Sequence, residues 1–308
     1  MAVFLQPASL QKSAAMDAGI DIEIDIERRF GGLARLYGLK GAAAIRGAHV
    51  AVVGIGGVGS WAAEALARSG VGRISLIDFD QVGESNINRQ IQAESATVGQ
   101  AKVDAMAERI ARINPLCQVH KIEEFATPEN WAGLALQAFP VWDAVIDACD
   151  AIKTKTTLAA WARLQKDSVF ISAGAAGGKR HAYLMDIADL ADTTHDPLLA
   201  QVRYHLRRTH GAPAGNASNG KEAKNKRIGV ACVFSREAVA SPDLSSALDP
   251  ATDVKAHSNA DAIGDASVST DSSLNCHGYG SVVSVTASFG MCAAGWVLDA
   301  LAQRNKER

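Results

Sequence analysis

Paired cysteine spacing is missing from this sequence. Its five cysteines, Cys117, Cys149, Cys232, Cys276 and Cys292, are odd in number and nowhere stand as C-x-x-C. That leaves neither a disulfide framework nor a zinc site built on cysteine pairs to be read, and a reducing, cytoplasmic setting is the simplest expectation. Net charge is nearly absent as well. At −2 over 308 residues, the field of the whole molecule neither gathers nor repels polyanions, so contact with nucleic acid must come from a local patch. The opening stretch MAVFLQPASLQKSAAM lacks the basic start, long apolar run and small-residue cleavage site of a secretory signal, and reads as part of a flexible extension over 1–27. No internal repeat is visible. One uncharged run, Val282 to Leu298, approaches membrane-spanning length, but three hydroxyl residues and two glycines dilute it and Asp299 follows at once. A buried helix that caps a sheet or meets a dimer partner reads better. No integral membrane insertion is expected, and at most a peripheral association.

From residue 49 onward, short β-rich apolar runs alternate with helical stretches, the pattern of a mostly parallel sheet covered on both faces. HVAVVG (49–54), RISLIDFD (73–80), CQVHKI (117–122), WDAVIDAC (142–149) and SVFISAG (168–174) read as strands. WAAEALARSG, GQAKVDAMAERIARINP and TKTTLAAWARLQK read as the helices between them, the first ended by Gly70 and the second by an Asn-Pro pair. HAYLMDIADL and GVACVFS follow as further strands, with DPLLAQVRYHLRRT a helix between them. The spacing predicts a nucleotide-binding domain over 28–190, with 191–308 the C-terminal part of the same fold. That part carries a basic, glycine-containing loop (203–227). A Ser/Asp-rich insert (241–275) has too few large apolar groups to offset its ordering entropy.

Gly54, Gly56, Gly57 and Gly59 follow a strand and open a helix, so backbone N–H groups can approach a phosphate at the helix N-terminus. Asp78 ends the second strand, where an acid can accept from ribose hydroxyls. To that point a dinucleotide-dependent dehydrogenase fits equally well. Further residues argue otherwise: Asp80 leads into ESNINRQ, with Asn86 and Arg89 three apart; Lys102 follows in VGQAKVDA, and Asp150 ends DAVIDACD. An amide, a guanidinium and an ammonium converging on one site suit a triphosphate, and a carboxylate at a strand end suits Mg²⁺. ATP on a Rossmann-like α/β fold is the expected ligand. Taken singly, Lys102 reads equally as a solvated helix residue and Asp150 as a helix N-cap.

The combination GIGGVGS, LIDFD, SNINRQ, VGQAKV, INP and VIDACD resembles the ubiquitin-activating-like superfamily, which includes the bacterial activators of the molybdopterin and thiamine sulfur carriers. RFGGLARLYG, MAERIARINP, DPLLAQVR and GVACVFSREA resemble its tRNA threonylcarbamoyladenosine dehydratase branch, over most of residues 28–240 and the final helix. The resemblance implies that Asp78 holds ribose, that Asn86, Arg89 and Lys102 hold phosphates, and that Asp150 holds magnesium, with Arg89, Lys102 and Asp150 catalytic. It also implies an N-terminal arginine reaching into a partner subunit. RFGG departs from the R-Y-x-R-Q pattern of that feature, so Arg29 matches its first arginine and Arg35 is the candidate for the catalytic one. The implied reaction is ATP-dependent adenylation of the threonyl carboxylate of a modified adenosine beside the anticodon, then intramolecular ring closure. Implied partners are tRNA, a second copy of the chain and a cysteine desulfurase sulfur-relay protein; a monovalent cation joins ATP and Mg²⁺ among implied cofactors.

Arg203, Arg207, Arg208, Lys221, Lys224, Lys226 and Arg227 concentrate positive charge around one loop and are the candidate tRNA contacts, against the plain reading of a solvated loop. Cys232 is expected to be a small buried residue rather than a sulfur acceptor, since no basic residue neighbours it in sequence to signal a lowered pKa. His181, His195, His205, His210 and His277 show no metal-ligand spacing. The alternative function is an adenylyltransferase for a ubiquitin-like sulfur carrier, weakened by the missing C-x-x-C pairs. A non-enzymatic sulfur-relay scaffold needs a reactive Cys232 or Cys276.

Overall fold

The computed structural model describes residues 25–137, 141–214, 227–241 and 279–304. The extension 1–24, Lys221, Lys224, Lys226, Cys276, His277 and nearly all of the Ser/Asp-rich insert lie outside the described residues. In chain order the elements are α1 (Ile26–Phe30), α2 (Gly32–Gly47), β1 (His49–Val53), α3 (Gly59–Arg68), β2 (Arg73–Ile77), α4 (Lys102–Ile113), β3 (Gln118–Ile122), α5 (Trp131–Gln137), β4 (Ala144–Asp147) and α6 (Ile152–Ala162). There follow β5 (Val169–Ala173), β6 (Met185–Asp189), α7 (Pro197–Thr209), β7 (Ala231–Ser235) and α8 (Val283–Arg304).

The strands form one seven-stranded sheet ordered β3-β2-β1-β4-β5-β7-β6, parallel except for β6, which runs antiparallel to β7. Successive side chains of a strand point to opposite faces. Val50, Val52, Ile74 and Leu76 therefore enter one core with α3, α4 and α8, while Ala51, Val53 and Ile77 enter another with Trp131 of α5, Leu158 of α6 and Leu199 of α7. Burial on both faces explains why β1 reads as an uninterrupted apolar run.

Helix ends follow local chemistry. Asp196 caps α7 by accepting the Leu199 N–H at 2.9 Å, with Pro197 in the first turn. The apolar run near the C-terminus is α8. It packs across the sheet against α2, α3 and β5, and Val285, Phe289, Ala293, Val297 and Leu301 are buried. Gly290 is where it crosses α3: a Cβ there would stand 2.8 Å from both the Ala62 nitrogen and the Trp61 Cβ.

β2 and then β3 lie to one side of β1, and the chain crosses back from β3 to place β4 on its other side, so the strand order reverses between β1 and β4. A crevice opens outside the carboxyl ends of the strands at such a reversal. The glycine turn sits there.

Candidate active site

Gly54 makes the turn at φ +85, and a Cβ on it would come 2.9 Å from the Ala148 carbonyl oxygen beyond β4. Gly59 closes the same turn, where a Cβ would run into the Gly54 carbonyl oxygen. Only glycine at both positions lets the β1–α3 connection lie against the β4–α6 loop. The Ile55 N–H donates to Asp78 Oδ2 at 2.6 Å and the Asp80 N–H to Asp78 Oδ1 at 2.9 Å. Burial raises the Asp78 pKa above its ordinary value, opposed by the Lys102 ammonium and those two backbone donors. Its oxygens keep lone pairs for a ribose hydroxyl.

Lys102 opens α4 and is 6% exposed, so it is not a solvated helix residue. Its Nζ lies 2.7 Å from Asp80 Oδ2. Asn86 Oδ1 accepts the Gly83 N–H at 3.1 Å and closes the 3₁₀ turn Glu84–Asn86, which leaves the amide nitrogen to donate elsewhere. Arg89 lies along Gly57, with Nη1 donating to the Ser85 carbonyl and, at 2.9 Å, to Asn88 Oδ1. Its own carbonyl accepts from Trp61 Nε1 at 3.0 Å and Thr286 Oγ1 at 3.4 Å, so α3 and α8 together set its place. Asp150 lies past the end of β4, exposed, and makes no hydrogen bond or ion pair among the described residues. A carboxylate free of protein partners is chemically able to bind Mg²⁺, which takes one or two carboxylates together with phosphate oxygens and water. Among the described residues no cluster of three or more His, Cys, Asp or Glu side chains forms a fuller metal cage.

Several supporting residues give no signal in the sequence. Asp147 and Lys155 are wholly buried beneath the β4–α6 loop, 2.9 Å apart, and Ser172 Oγ and Cys149 Sγ donate to Asp147 at 2.7 and 3.0 Å. Burial acts to lower the Lys155 pKa, and the Asp147 carboxylate together with the Cys149 and Cys232 sulfurs outweighs it, so the net shift is upward. Gln92, 2% exposed, donates to the Ile55 carbonyl at 2.9 Å and braces the glycine turn. Phe79 and Phe125 stand beyond the ends of β2 and β3 with ring centroids 5.3 Å apart, each about half exposed, an apolar surface beside Asp78 that a base could cover. Further along the same edge, the buried Lys179 ammonium donates to the carbonyls of Glu237, His195 and Ser235 at 2.7, 3.1 and 3.4 Å, tying three loops together.

Other candidates are placed elsewhere. Arg29 donates to the Ile113 carbonyl at 3.0 Å, Phe30 packs on Gly70 and Gly41 packs on Ala302, which puts α1 and α2 at the amino edge of the sheet. Arg35 is exposed on α2 and bonds to none of the residues around the glycine turn. Arg203 turns inward, its Nη1 donating to the carbonyls of Leu190 and Thr193 at 2.9 and 3.1 Å. Arg207 donates to the Pro213 carbonyl at 3.0 Å, while Arg208 and Arg227 are exposed. Cys232 is fully buried in β7, and burial first, then nearby carboxylates, push its thiol pKa well up. That is the reverse of a reactive thiol. His181 pairs with Glu237 at 2.8 Å and His210 ends α7.

A glycine turn at the strand-order reversal, an acid at the end of β2 and a Lys–Arg–Asn set around the crevice define an α/β nucleotide-binding protein built for a polyphosphate. The chain belongs to the ThiF family, whose profile matches residues 30–308. It is 38% identical over 279 residues to a tRNA threonylcarbamoyladenosine dehydratase of Haemophilus influenzae, covering 90% of this chain and 95% of that protein. It is 41% identical over 272 residues to the Escherichia coli K12 protein of the same name, covering 88% and 92%. The crystal structure of the E. coli tRNA N6-threonylcarbamoyladenosine dehydratase in complex with ATP superposes with a TM-score of 0.73 at 38% identity, covering 92% of this chain and 97% of that one.

Proposed function

We propose that this protein is an ATP-dependent dehydratase of threonylcarbamoyladenosine in tRNA, acting in the cytoplasm. The observation that carries the reading is the gathering of Asp78, Asn86, Arg89, Lys102 and Asp150 on one edge of the sheet, in a chain similar to named dehydratases over about nine tenths of its length. ATP lies with its ribose on Asp78 and its phosphates before the glycine turn, Arg89 and Lys102. Asp150 would hold Mg²⁺, which supplies neutralisation of phosphate charge when bound.

The threonyl carboxylate attacks the α-phosphorus, a C(O)O–P bond forms and pyrophosphate departs. The ureido group then attacks the activated carbonyl within the same nucleoside. A five-membered ring closes, the ureido proton is lost, and the former carboxylate oxygen leaves on AMP, so the nucleoside has lost one water. Holding both reacting groups in one molecule supplies much of the acceleration. Arg89 and Lys102 stabilise the charge that builds on the departing pyrophosphate. No step calls for a thiol, in keeping with the buried Cys232.

A homodimer belongs to the same proposal, with Arg35 donated across the interface. Leu36 and Leu39, 73% and 82% exposed on α2, and Met291 on the outward side of α8 support an apolar contact surface. The deciding experiment incubates the protein with ATP, Mg²⁺ and tRNA bearing threonylcarbamoyladenosine. Loss of one water from the nucleoside with formation of AMP, both abolished by Arg89→Ala or Asp150→Ala, is the expected result. An unchanged nucleoside, with AMP and pyrophosphate formed only when a sulfur-carrier protein is added, overturns it.

A further inference from the structure

The outer face of α7 carries a feature that the nucleotide site does not use. Leu198, Leu199, Val202 and Leu206 face the core. The opposite stripe presents Ala200, Arg203, Tyr204, Arg207 and Arg208, which line a concavity of about 330 Å³. A second concavity of about 290 Å³, reaching to His195, Asp196 and Val239, shares Ala200 and Arg203 with the first, so the two form one groove along the helix. Its start is at the carboxyl edge, because Asp196 accepts the Ala175 N–H at 2.9 Å just beyond β5. Its end is at the amino edge, where Arg163 at the end of α6 donates to the His210 carbonyl at 2.9 Å. The groove therefore leads away from the reacting edge over the length of α7, about 20 Å at the rise of an α-helix.

Tyr204 is 51% exposed on this stripe. It is held in place by its neighbours: Arg208 Nη1 donates to its hydroxyl at 2.7 Å, the guanidinium carbon stands 5.9 Å from the ring centroid, and His205 packs edge-on at 5.4 Å. Arg207 borders the same concavity, which no carboxylate lines; Asp196 is the acid in the lining of the second concavity, at the start of the helix. A fixed, half-exposed aromatic ring flanked by two guanidinium groups suits bases that stack and phosphates that pair, the combination by which single-stranded nucleic acid is held. Arg203, whose Nη1 is bonded inward, contributes floor and field rather than a direct contact.

We infer that the α7 groove is the track for an unpaired stretch of the RNA substrate, with Tyr204 stacking a base and Arg208 and Arg207 holding phosphates, while the target nucleoside sits at the carboxyl edge. This rests on the tRNA reading of the function. The test compares wild type, Tyr204→Ala, Tyr204→Phe and Arg208→Ala as full chains. The readouts are the Kd for unmodified transcribed tRNA at several salt concentrations, the KM for tRNA bearing threonylcarbamoyladenosine, the ATP affinity and the melting temperature. Tyr204→Ala is expected to raise the RNA Kd and KM about ten-fold, with Tyr204→Phe staying near wild type. Arg208→Ala weakens binding and makes the salt slope shallower by about one. ATP affinity and melting temperature stay put in all three. RNA affinity unchanged in Tyr204→Ala, in an enzyme that still dehydrates tRNA, overturns the track and leaves the function standing. Loss of ATP affinity and early melting in Tyr204→Ala overturns it too, by making the ring structural. A Tyr204→Ala protein that keeps tRNA affinity and loses a sulfur-carrier protein gives the groove to a protein tail. Wild type that binds no tRNA removes the function and the track together.

Discussion

At the scale of single residues, Asp78 links fold, ligand and pH. It accepts two backbone N–H groups as a carboxylate, and its raised pKa places its protonation above the ordinary aspartate range. ATP affinity is therefore expected to fall on acidification at a pH where exposed aspartates are still ionised, and titration calorimetry against pH should show it. Asp78→Asn should bind weakly at every pH and flatten that dependence. The stability contribution of the same group has the opposite sign. A folded-state pKa above the unfolded one means more protons bound when folded, so stability from Asp78 is greatest below the unfolded pKa and is lost as pH rises through the folded one. Lys155→Met leaves the buried Asp147 carboxylate without its cation and should cost about 3–5 kcal/mol in denaturant unfolding, with Asp147→Asn added to it restoring part of the loss. Asp78, Asn86, Arg89 and Lys102 could be proposed from the sequence because their residue types follow strand ends in an order that has chemical meaning. The Asp147–Lys155 pair gives no such signal: an aspartate at a strand end and a lysine eight residues on, in the first turn of the next helix, look like ordinary surface residues until the sheet closes over them.

At the scale of elements, the alternating pattern predicted the sheet strands and the helices between them, while α1, α2 and α5 were not read as helices. α2 carries three glycines before residue 42 and bends at Gly38, φ +76, so its periodicity is broken. α5 has only seven residues. The antiparallel direction of β6 is set by its pairing with β7 and has no counterpart in its composition. The strand ends at Asp147 rather than Cys149, so Asp150, the proposed Mg²⁺ ligand, stands on the loop before α6. Since Gly290 brings α8 onto the first turn of α3, Gly290→Ala should force those helices apart. We expect a cost of about 1–3 kcal/mol from overpacking together with weaker ATP binding, since Trp61 and Thr286 hold Arg89 from these two helices. A lowered melting temperature with unchanged ATP affinity would show that the two effects are separable.

At the scale of the whole molecule, the placement of Arg35 at the amino edge makes a sharp prediction about assembly. If Arg35 serves a partner's site, Arg35→Ala and Arg89→Ala proteins are each inactive alone, and subunit exchange between them creates one intact site in each mixed dimer. Mixing should restore about a quarter of wild-type activity, as expected for random pairing in a two-fold symmetric dimer. A mixture no more active than its components rules out the crossed arrangement. The position of α8 has a consequence for biosynthesis. Every strand of the sheet leaves the ribosome before residue 283, yet the helix that covers the sheet and supplies the Thr286 contact to Arg89 comes afterwards. Until that helix is made, the sheet face it covers stays open and Arg89 is braced by Trp61 alone, so a message cut short before it encodes a chain that lacks both the cover and the Thr286 brace.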